Sequence, residues 1–184
     1  MIGGGGDAAG DGTEGRDGGG DAHDGDLQGA INAIVAAQYP QSFFGIDPNG
    51  RSAVVHTTGN HEGFLIMRGG RTGTNFDADS INAAGAALEA KNLRAAIMVD
   101  CNHAQSGGDP DQEEAVCKTG IDQLDTTSKY VGGLLIESFL DKGRQALEVP
   151  ADMSRLRYGQ SVTDACMGWE DTERMLNFTY SQLG

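Results

Sequence analysis

The chain has 184 residues, enough for one domain with a hydrophobic core, but only 38% of them are hydrophobic and the formal net charge is −14. This acidic balance argues against nucleic-acid binding, which needs clustered Lys and Arg. Without a run of 18 apolar residues or a secretory leader pattern, we expect neither a membrane-spanning helix nor export. The three cysteines (Cys101, Cys117 and Cys166) lack metal-type spacing, so reduced thiols in a cytoplasmic protein are expected.

Residues 1–26 differ from the rest of the chain in composition. They are mostly Gly, Asp and Ala, and their six Asp and one Glu against one Arg supply −6 of the formal net charge. Because they hold almost nothing apolar to bury, the entropy cost of ordering them is not offset. We predict that this Gly/Asp-rich stretch is disordered or a non-native start, and that the folded part comprises residues 27–184.

The first predicted elements are a helix and a β-hairpin. The helix follows Asp26, a good N-cap residue, and ends at Tyr39-Pro40. Its apolar residues recur at helical spacing, at Leu27, Ile31, Ile34 and Val35. Two β-like runs, Ser42–Ile46 and Ser52–Thr57, flank Asp47-Pro-Asn-Gly50, which is a strong turn signal. The pattern therefore predicts a hairpin.

Short apolar runs alternate with helical segments through the rest of the chain. The predicted strands are Phe64–Met67, Ala96–Val99, Gly133–Ile136 and Ser161–Thr163. The predicted helices are Ser80–Leu93, Asp111–Leu124 and a terminal helix that begins at Asp171. Successive strands are about one βαβ unit apart. This alternation predicts an α/β fold with a parallel sheet and helices packed outside it.

Each predicted strand is followed by a polar residue that could take part in chemistry. Arg68 follows the first run, His103 lies just beyond the second, and Glu137 and Asp164 follow the third and fourth. Because the carboxyl ends of parallel strands meet at one edge of a sheet, we expect these side chains to converge. One His and two carboxylates form a ligand set suited to Mn²⁺, Fe²⁺, Co²⁺ or Zn²⁺. Arg68, followed by two glycines, suits an anion that backbone amides can also approach.

Each of these residues also has an ordinary structural interpretation. His103 could be a capping or loop histidine, since most histidines bind no metal. Glu137 and Arg68 could each belong to a structural ion pair, and Asp164 could cap a turn. The two cysteines that neighbour the candidate ligands are more often packing residues than ligands. The metal hypothesis therefore depends on the four positions occurring together.

Several segments carry a family resemblance. They include Ile66-Met-Arg-Gly-Gly70, Met98-Val-Asp-Cys-Asn-His-Ala104, Leu135-Ile-Glu-Ser138 and Tyr158-Gly-Gln-Ser-Val-Thr-Asp-Ala-Cys-Met-Gly-Trp-Glu-Asp171. In this order, and from about Asp24 to the last residue, the chain resembles the C-terminal half of class I 3-deoxy-7-phosphoheptulonate synthases. Residues 161–171 are the most specific part of the match.

The resemblance implies the C-terminal part of a TIM-type (β/α)₈ barrel that carries an inserted β-hairpin and lacks its N-terminal strands. It also implies an aldol-type transferase that condenses phosphoenolpyruvate, erythrose 4-phosphate and water to 3-deoxy-7-phosphoheptulonate (DAHP) and phosphate. This reaction is the first step of the shikimate pathway to chorismate and the aromatic amino acids. A cytoplasmic homo-oligomer without nucleic-acid or membrane partners is expected.

The resemblance also implies roles for individual residues. In that family the residues matching His103, Glu137 and Asp164 ligate a divalent metal, which polarises the aldehyde of erythrose 4-phosphate. The residue matching Arg68 holds phosphoenolpyruvate. These are the four residues that the strand-end pattern also indicates.

The hairpin is similar to the family's inserted element, which helps form a feedback site for an aromatic amino acid. Phe43 and Gly45 fall where inhibitor contacts are expected. The related octulosonate-phosphate synthases share the barrel and the chemistry, but the hairpin and residues 161–171 favour the heptulosonate enzymes.

The chain departs from the family pattern at several places. The family's fourth metal ligand, a Cys on the first barrel strand, has no counterpart, and Gly20 stands where a substrate-binding Lys is expected. After His103 the usual Asn-Ser-x-Lys is replaced by Gln105-Ser-Gly-Gly108, which removes another cation. We therefore expect this chain alone to be inactive. The alternative is a non-catalytic remnant that binds metal or pairs with full-length subunits.

Overall fold

The computed structural model describes residues 27–126, 129–148 and 153–183. The predicted disordered segment, residues 1–26, lies outside this range, so its disorder and the boundary at residue 27 stay predictions. The helices are α1 (Leu27–Ala37), α2 (Ala78–Glu89), α3 (His103–Ser106), α4 (Pro110–Thr126) and α5 (Trp169–Leu183). The strands are β1 (Ser42–Ile46), β2 (Ser52–His56), β3 (Leu65–Met67), β4 (Ile97–Asp100), β5 (Val131–Leu135), β6 (Asp141–Arg144) and β7 (Gln160–Ser161). A short 3-10 helix spans Met153–Arg155.

The predicted N-terminal helix and hairpin both form. Helix α1 buries Ile31 and Ile34, two of the residues that predicted it. Strands β1 and β2 pair antiparallel, with Phe44 opposite Val54. Asp47 closes the turn, because its Oδ1 accepts hydrogen bonds of 2.9 Å from two backbone N–H groups of the same loop. A local turn and a strand pair thus fold as the sequence predicts.

Strands β3, β4 and β5 form a three-stranded parallel sheet with β4 in the centre. Helix α2 connects β3 to β4, and α4 connects β4 to β5, which confirms the predicted α/β arrangement with a parallel sheet. The core lies between the sheet and these helices. Ile97 and Val99 of β4 are fully buried, as are Ile81 and Leu88 of α2, and Ile121 of α4 is nearly so. The sheet is held mainly by this apolar packing.

The prediction of Ser161–Thr163 as a further strand of the same sheet was wrong. Only Gln160–Ser161 are extended, as β7, and they pair in parallel with β6 in a separate two-stranded sheet. The run is too short and too exposed for a core strand, since Val162 is 39% exposed. Beyond it, Met167 donates a backbone hydrogen bond of 2.9 Å to the carbonyl of Glu137. The chain thereby returns to the end of β5.

Local hydrogen bonding explains other differences between predicted and observed bounds. Helix α2 begins before Ser80 because Asp77 caps it, accepting the Ser80 N–H at 2.9 Å. It ends at Glu89, and Asn92 then takes a left-handed conformation with φ 57°. Strand β5 begins two residues earlier than predicted because Val131 pairs with Ile97.

Helix α5 packs against α4 along one face. Met175 is buried there, and Arg174 Nη2 lies 2.6 Å from Glu114 Oε2 of α4. A row of apolar side chains beside this face is more than half exposed, and we call it the α5 stripe: Trp169, Leu176, Tyr180 and Leu183. Within the described ranges, no helix is both long enough and apolar enough to cross a membrane.

Candidate metal and anion site

Three of the four predicted site residues meet at the carboxyl end of the parallel sheet. His103 Nε2 lies 3.4 Å from Glu137 Oε1 and 3.7 Å from Asp164 Oδ2. One possible ligand atom from each residue lies within 4.8 Å of the other two. His103 follows β4, Glu137 follows β5, and Asp164 follows β7. The three side chains are thus close enough to share one divalent ion.

The conformation of His103 turns its ring toward this cluster. Its φ of 51° lies in the left-handed region, which is unusual for a residue with a β-carbon and is often associated with functional sites. The backbone N–H is satisfied by the side-chain Oδ1 of Asn102 at 2.8 Å. Nδ1 lies 2.8 Å from Asp100 Oδ2, although the contact is not aligned as a hydrogen bond. With a proton on Nδ1, the lone pair of Nε2 faces the two carboxylates.

Glu137 is held by polar groups on two sides. Asn102 Nδ2 donates to Glu137 Oε2 at 2.8 Å, and the backbone N–H of Glu137 donates to Glu113 Oε1 at 2.7 Å. Burial raises the pKa of the Glu137 carboxyl; His103 opposes this shift, whereas the neighbouring carboxylates of Asp164 and Asp100 add to it. The cluster therefore gathers acidic groups whose negative charges a cation would stabilise.

Glu113 is a fully buried carboxyl behind the cluster that the sequence did not indicate. Its pKa is raised to about 7, first by burial and then by the carboxylates of Glu137 and Asp100, against the lowering effect of the Glu137 N–H. Its Oε2 has no hydrogen-bond partner in the described part of the chain. A neutral carboxylic acid is the less costly form at such a position.

Arg68 lies at the same edge of the sheet, after β3. Its Nε is 4.0 Å from Asp100 Oδ2, and its side chain is 28% exposed. The following Gly69 has φ 72°, and a β-carbon there would lie 2.9 Å from the β-carbon of Ala104. Only glycine permits this close approach of the Arg68 loop to the residue after His103. The contact with Asp100 agrees with the alternative interpretation of Arg68 as a member of a structural ion pair. Anion binding by Arg68 stays a prediction.

A buried glutamine ties the Arg68 loop to α3. Gln105 is 5% exposed, and its Nε2 donates to the carbonyl of Met67, the last residue of β3, at 3.1 Å. Its Oε1 accepts the backbone N–H of Asn75 at 2.9 Å, and Asn75 Oδ1 accepts the N–H of Gly69 at 3.0 Å. These hydrogen bonds therefore hold the backbone on both sides of Arg68 against α3, the short helix that begins at His103.

A small pocket beside the cluster contains a cation that the sequence analysis missed. His103, Asp164, Gly107, Gly108 and Arg144 are among the residues that line it. Arg144 forms no ion pair with any residue that the structure describes. It ends β6, whose sequence Asp-Lys-Gly-Arg is too polar to be recognised as a strand.

The remaining predicted residues lie outside the cluster. Cys101 and Cys117 are fully buried, which fits packing residues, and burial raises the pKa of the half-buried Cys166 thiol. Phe43 and Gly45 lie in the β1–β2 hairpin, which is a sheet of its own. Gly45 faces Val55, where a β-carbon would come within 2.8 Å of Val55 Cγ2. Their role as inhibitor contacts stays a prediction.

Comparison with known proteins identifies the family of this chain. Residues 23–177 match the model of the DAHP synthetase I family. The phenylalanine-inhibited phospho-2-dehydro-3-deoxyheptonate aldolase of Saccharomyces cerevisiae is 41% identical over 157 residues, which are 83% of this chain and 42% of that protein. The Tyr-sensitive enzyme of Escherichia coli is 38% identical over 160 residues, or 87% of this chain and 44% of that protein.

A solved structure gives the same result. The phospho-2-dehydro-3-deoxyheptonate aldolase of Francisella tularensis superimposes with a TM-score of 0.80 at 33% identity, covering 88% of this chain and 46% of that one. The chain thus spans less than half the length of these relatives. The matched region contains every residue of the cluster and most of the fold. The chain therefore belongs to the DAHP synthetase I family.

Proposed function

We propose that this chain carries the metal-binding and phosphoenolpyruvate-binding part of a 3-deoxy-7-phosphoheptulonate synthase. That enzyme forms DAHP and phosphate from phosphoenolpyruvate, erythrose 4-phosphate and water, at the start of aromatic amino acid biosynthesis. The observation that carries the proposal is the meeting of His103, Glu137 and Asp164 at the end of a parallel sheet. The enzymes that these relatives are named as also favour a heptulosonate over an octulosonate product.

The donor set fits a divalent metal. His103 presents Nε2, and Glu137 and Asp164 each present a carboxylate oxygen, a mixture that suits Mn²⁺, Fe²⁺, Co²⁺ or Zn²⁺. Asp100 lies against the other ring nitrogen of His103, as acidic residues do behind many metal-bound histidines. When bound, the metal would act as a Lewis acid on the aldehyde oxygen of erythrose 4-phosphate.

The cations of the site suit phosphoenolpyruvate, which carries a phosphate and a carboxylate. Arg68 can hold either group with two parallel hydrogen bonds, and Arg144 supplies a second guanidinium in the adjoining pocket. The acidic cluster alone would repel such an anion, because Asp100, Glu137 and Asp164 lie around it. We therefore expect the metal to strengthen binding of phosphoenolpyruvate.

We propose that the fold is the C-terminal part of a (β/α)₈ barrel in which the β1–β2 hairpin is an insertion. The three-stranded sheet and its crossover helices support this assignment. Two relatives are named for inhibition by phenylalanine or tyrosine, and on that basis we propose that Phe43 and Gly45 contact an aromatic amino acid. A cytoplasmic homo-oligomer remains part of the proposal.

Titration calorimetry of the 184-residue chain with Mn²⁺ tests the metal site. We expect binding at one site, and we expect His103→Ala to weaken it by more than about 100-fold, because a direct ligand should matter more than a supporting residue. His61→Ala is the matched control, because His61 is exposed and outside the cluster. No Mn²⁺ binding, or equal binding by His103→Ala, would refute the site.

An activity assay tests the rest of the proposal. With Mn²⁺, phosphoenolpyruvate and erythrose 4-phosphate, we expect no product from this chain alone, because the family's Lys and Cys positions are unmatched in its sequence. Formation of DAHP would show that the residues present are sufficient. Phosphoenolpyruvate binding should weaken in Arg68→Ala and should depend on Mn²⁺.

The second candidate function is pairing with a full-length family member. The observation in its favour is the α5 stripe, an apolar face that the described residues leave exposed. Mixing the chain with a full-length synthase should then change its activity or its inhibition by an aromatic amino acid. Leu176→Asp should abolish the effect without unfolding the chain, because Leu176 is 56% exposed. No change on mixing would exclude pairing.

A further inference from the structure

The two oxygens of Glu137 have different surroundings. Oε2 accepts a hydrogen bond from Asn102 Nδ2 at 2.8 Å, whereas Oε1 faces His103 Nε2 at 3.4 Å. A carboxylate that rotates freely could present either oxygen or both to an ion. The hydrogen bond to Oε2 fixes the rotation and leaves Oε1 as the oxygen that faces the cluster.

Asn102 connects the three segments that carry the candidate ligands. It is 1% exposed, and its Nδ2 also donates to the carbonyl of Ala165, next to Asp164, at 3.2 Å. Its Oδ1 accepts the backbone N–H of His103 at 2.8 Å. The buried amide of Asn102 therefore contacts the side chain of Glu137, the backbone of His103 and the backbone next to Asp164.

Glu113 holds the backbone of Glu137 from the other side. Strand β5 ends at Leu135, so the N–H of Glu137 lies beyond the sheet ladder and donates to Glu113 Oε1 at 2.7 Å. The carbonyl of Glu137 accepts the N–H of Met167 at 2.9 Å. Both polar groups of this residue's main chain are thus satisfied inside the protein.

We propose that Asn102 and Glu113 are positioning residues that present Glu137 Oε1 to the metal, Asn102 through the side chain and Glu113 through the backbone. The proposal rests on the metal site proposed above. Neither residue is a ligand, and each acts through Glu137. Loss of either should weaken and distort metal coordination while leaving all three ligands in the sequence.

The test measures Co²⁺ binding by the 184-residue chain. Calorimetry gives the affinity, and the visible spectrum of the bound Co²⁺ reports its coordination geometry. Asn102→Ala should bind Co²⁺ about 10- to 100-fold more weakly, the usual effect of losing a residue that supports a ligand, with an altered spectrum. Gln123→Ala is the matched control. Gln123 is a buried amide on α4 that donates to the carbonyl of Phe76 at 2.7 Å, outside the cluster. It should destabilise the fold to a similar extent and leave affinity and spectrum unchanged.

A second pair of variants tests Glu113. Glu113→Gln keeps an oxygen that can accept the Glu137 N–H and should retain the affinity, whereas Glu113→Leu removes the acceptor and should reduce it. Circular dichroism checks folding, and Asn102→Ser replaces the alanine variant if that variant does not fold.

If the unsubstituted chain binds no Co²⁺, the proposed function itself fails. If it binds Co²⁺ and the folded Asn102 and Glu113→Leu variants bind it equally well, the positioning role is refuted.

Discussion

The edge of the parallel sheet that carries the candidate site, here called the site edge, and the β1–β2 hairpin differ in which side chains they bury. At the site edge, polar side chains are buried: Asn102 is 1% exposed, Asp100 is 4% and Glu113 is 0%. On the hairpin, apolar side chains are exposed, with Phe44 at 89% and Ile46 at 75%. Burying polar groups costs free energy unless each finds a partner, so a hydrogen-bonded buried cluster indicates function more than stability.

The β1–β2 hairpin folds without burying its apolar side chains. Its fold comes from the local turn at Asp47 and from strand pairing. Its apolar face is exposed in the described part of the chain and therefore contributes little to the stability of the fold. Such a face is available for a ligand or another protein surface. The comparison therefore predicts that substitutions in the buried core of the sheet reduce stability, whereas substitutions on the exposed hairpin face leave it almost unchanged.

The largest effect on stability should come from the sheet. Ile97 in β4 is fully buried, so Ile97→Ala should lower the free energy of unfolding by about 2–5 kcal/mol. The matched change on the hairpin, Ile46→Ala, should alter it by no more than about 0.5 kcal/mol. Urea unfolding of the two variants measures both. An equal loss in the two variants would mean that the hairpin face is covered in solution.

A smaller effect should come from the loop that carries Arg68. Gly69→Ala places a β-carbon at φ 72° and 2.9 Å from Ala104, which should cost about 1–2 kcal/mol of stability and displace Arg68. Gly50→Ala in the hairpin turn is the control, because it has a similar φ of 79° but nothing within 4 Å of its added atom. We expect only Gly69→Ala to weaken phosphoenolpyruvate binding. Equal weakening in both variants would contradict this positioning of Arg68.

These two regions also show how much the sequence could predict. Apolar runs and their polar ends predicted three strands of the sheet and the meeting of His103, Glu137 and Asp164, because parallel strands align their carboxyl ends. The hairpin followed from its turn residues. Both are patterns between near neighbours in sequence.

The supporting residues could not be predicted in this way. Glu113 lies in the acidic segment Asp-Gln-Glu-Glu, which has the composition of a solvated helix face, yet it points into the core. Asn102 reaches Glu137, which is 35 positions away. Arg144 belongs to a strand with no apolar pattern. Their roles depend on long-range packing, which a local pattern does not encode.

The smallest predicted effect is the pH dependence of the contact between α4 and α5. Hydrogen bonds from Arg174, and then from Lys118, lower the pKa of Glu114 to about 2. A lowered pKa means that the stabilisation is present above about pH 4.5 and is lost as the pH falls toward 2. We expect up to about 1 kcal/mol from this partly exposed pair. Glu114→Gln should remove that part of the acid dependence in thermal unfolding, and an unchanged dependence would contradict the assignment.

The central claim is that one divalent metal binds between His103, Glu137 and Asp164. The most direct measurement is anomalous X-ray diffraction from crystals of this chain grown with Mn²⁺. The account predicts one anomalous peak within coordinating distance of His103 Nε2, Glu137 Oε1 and an oxygen of Asp164. A peak elsewhere, or none at a saturating concentration of Mn²⁺, would contradict it.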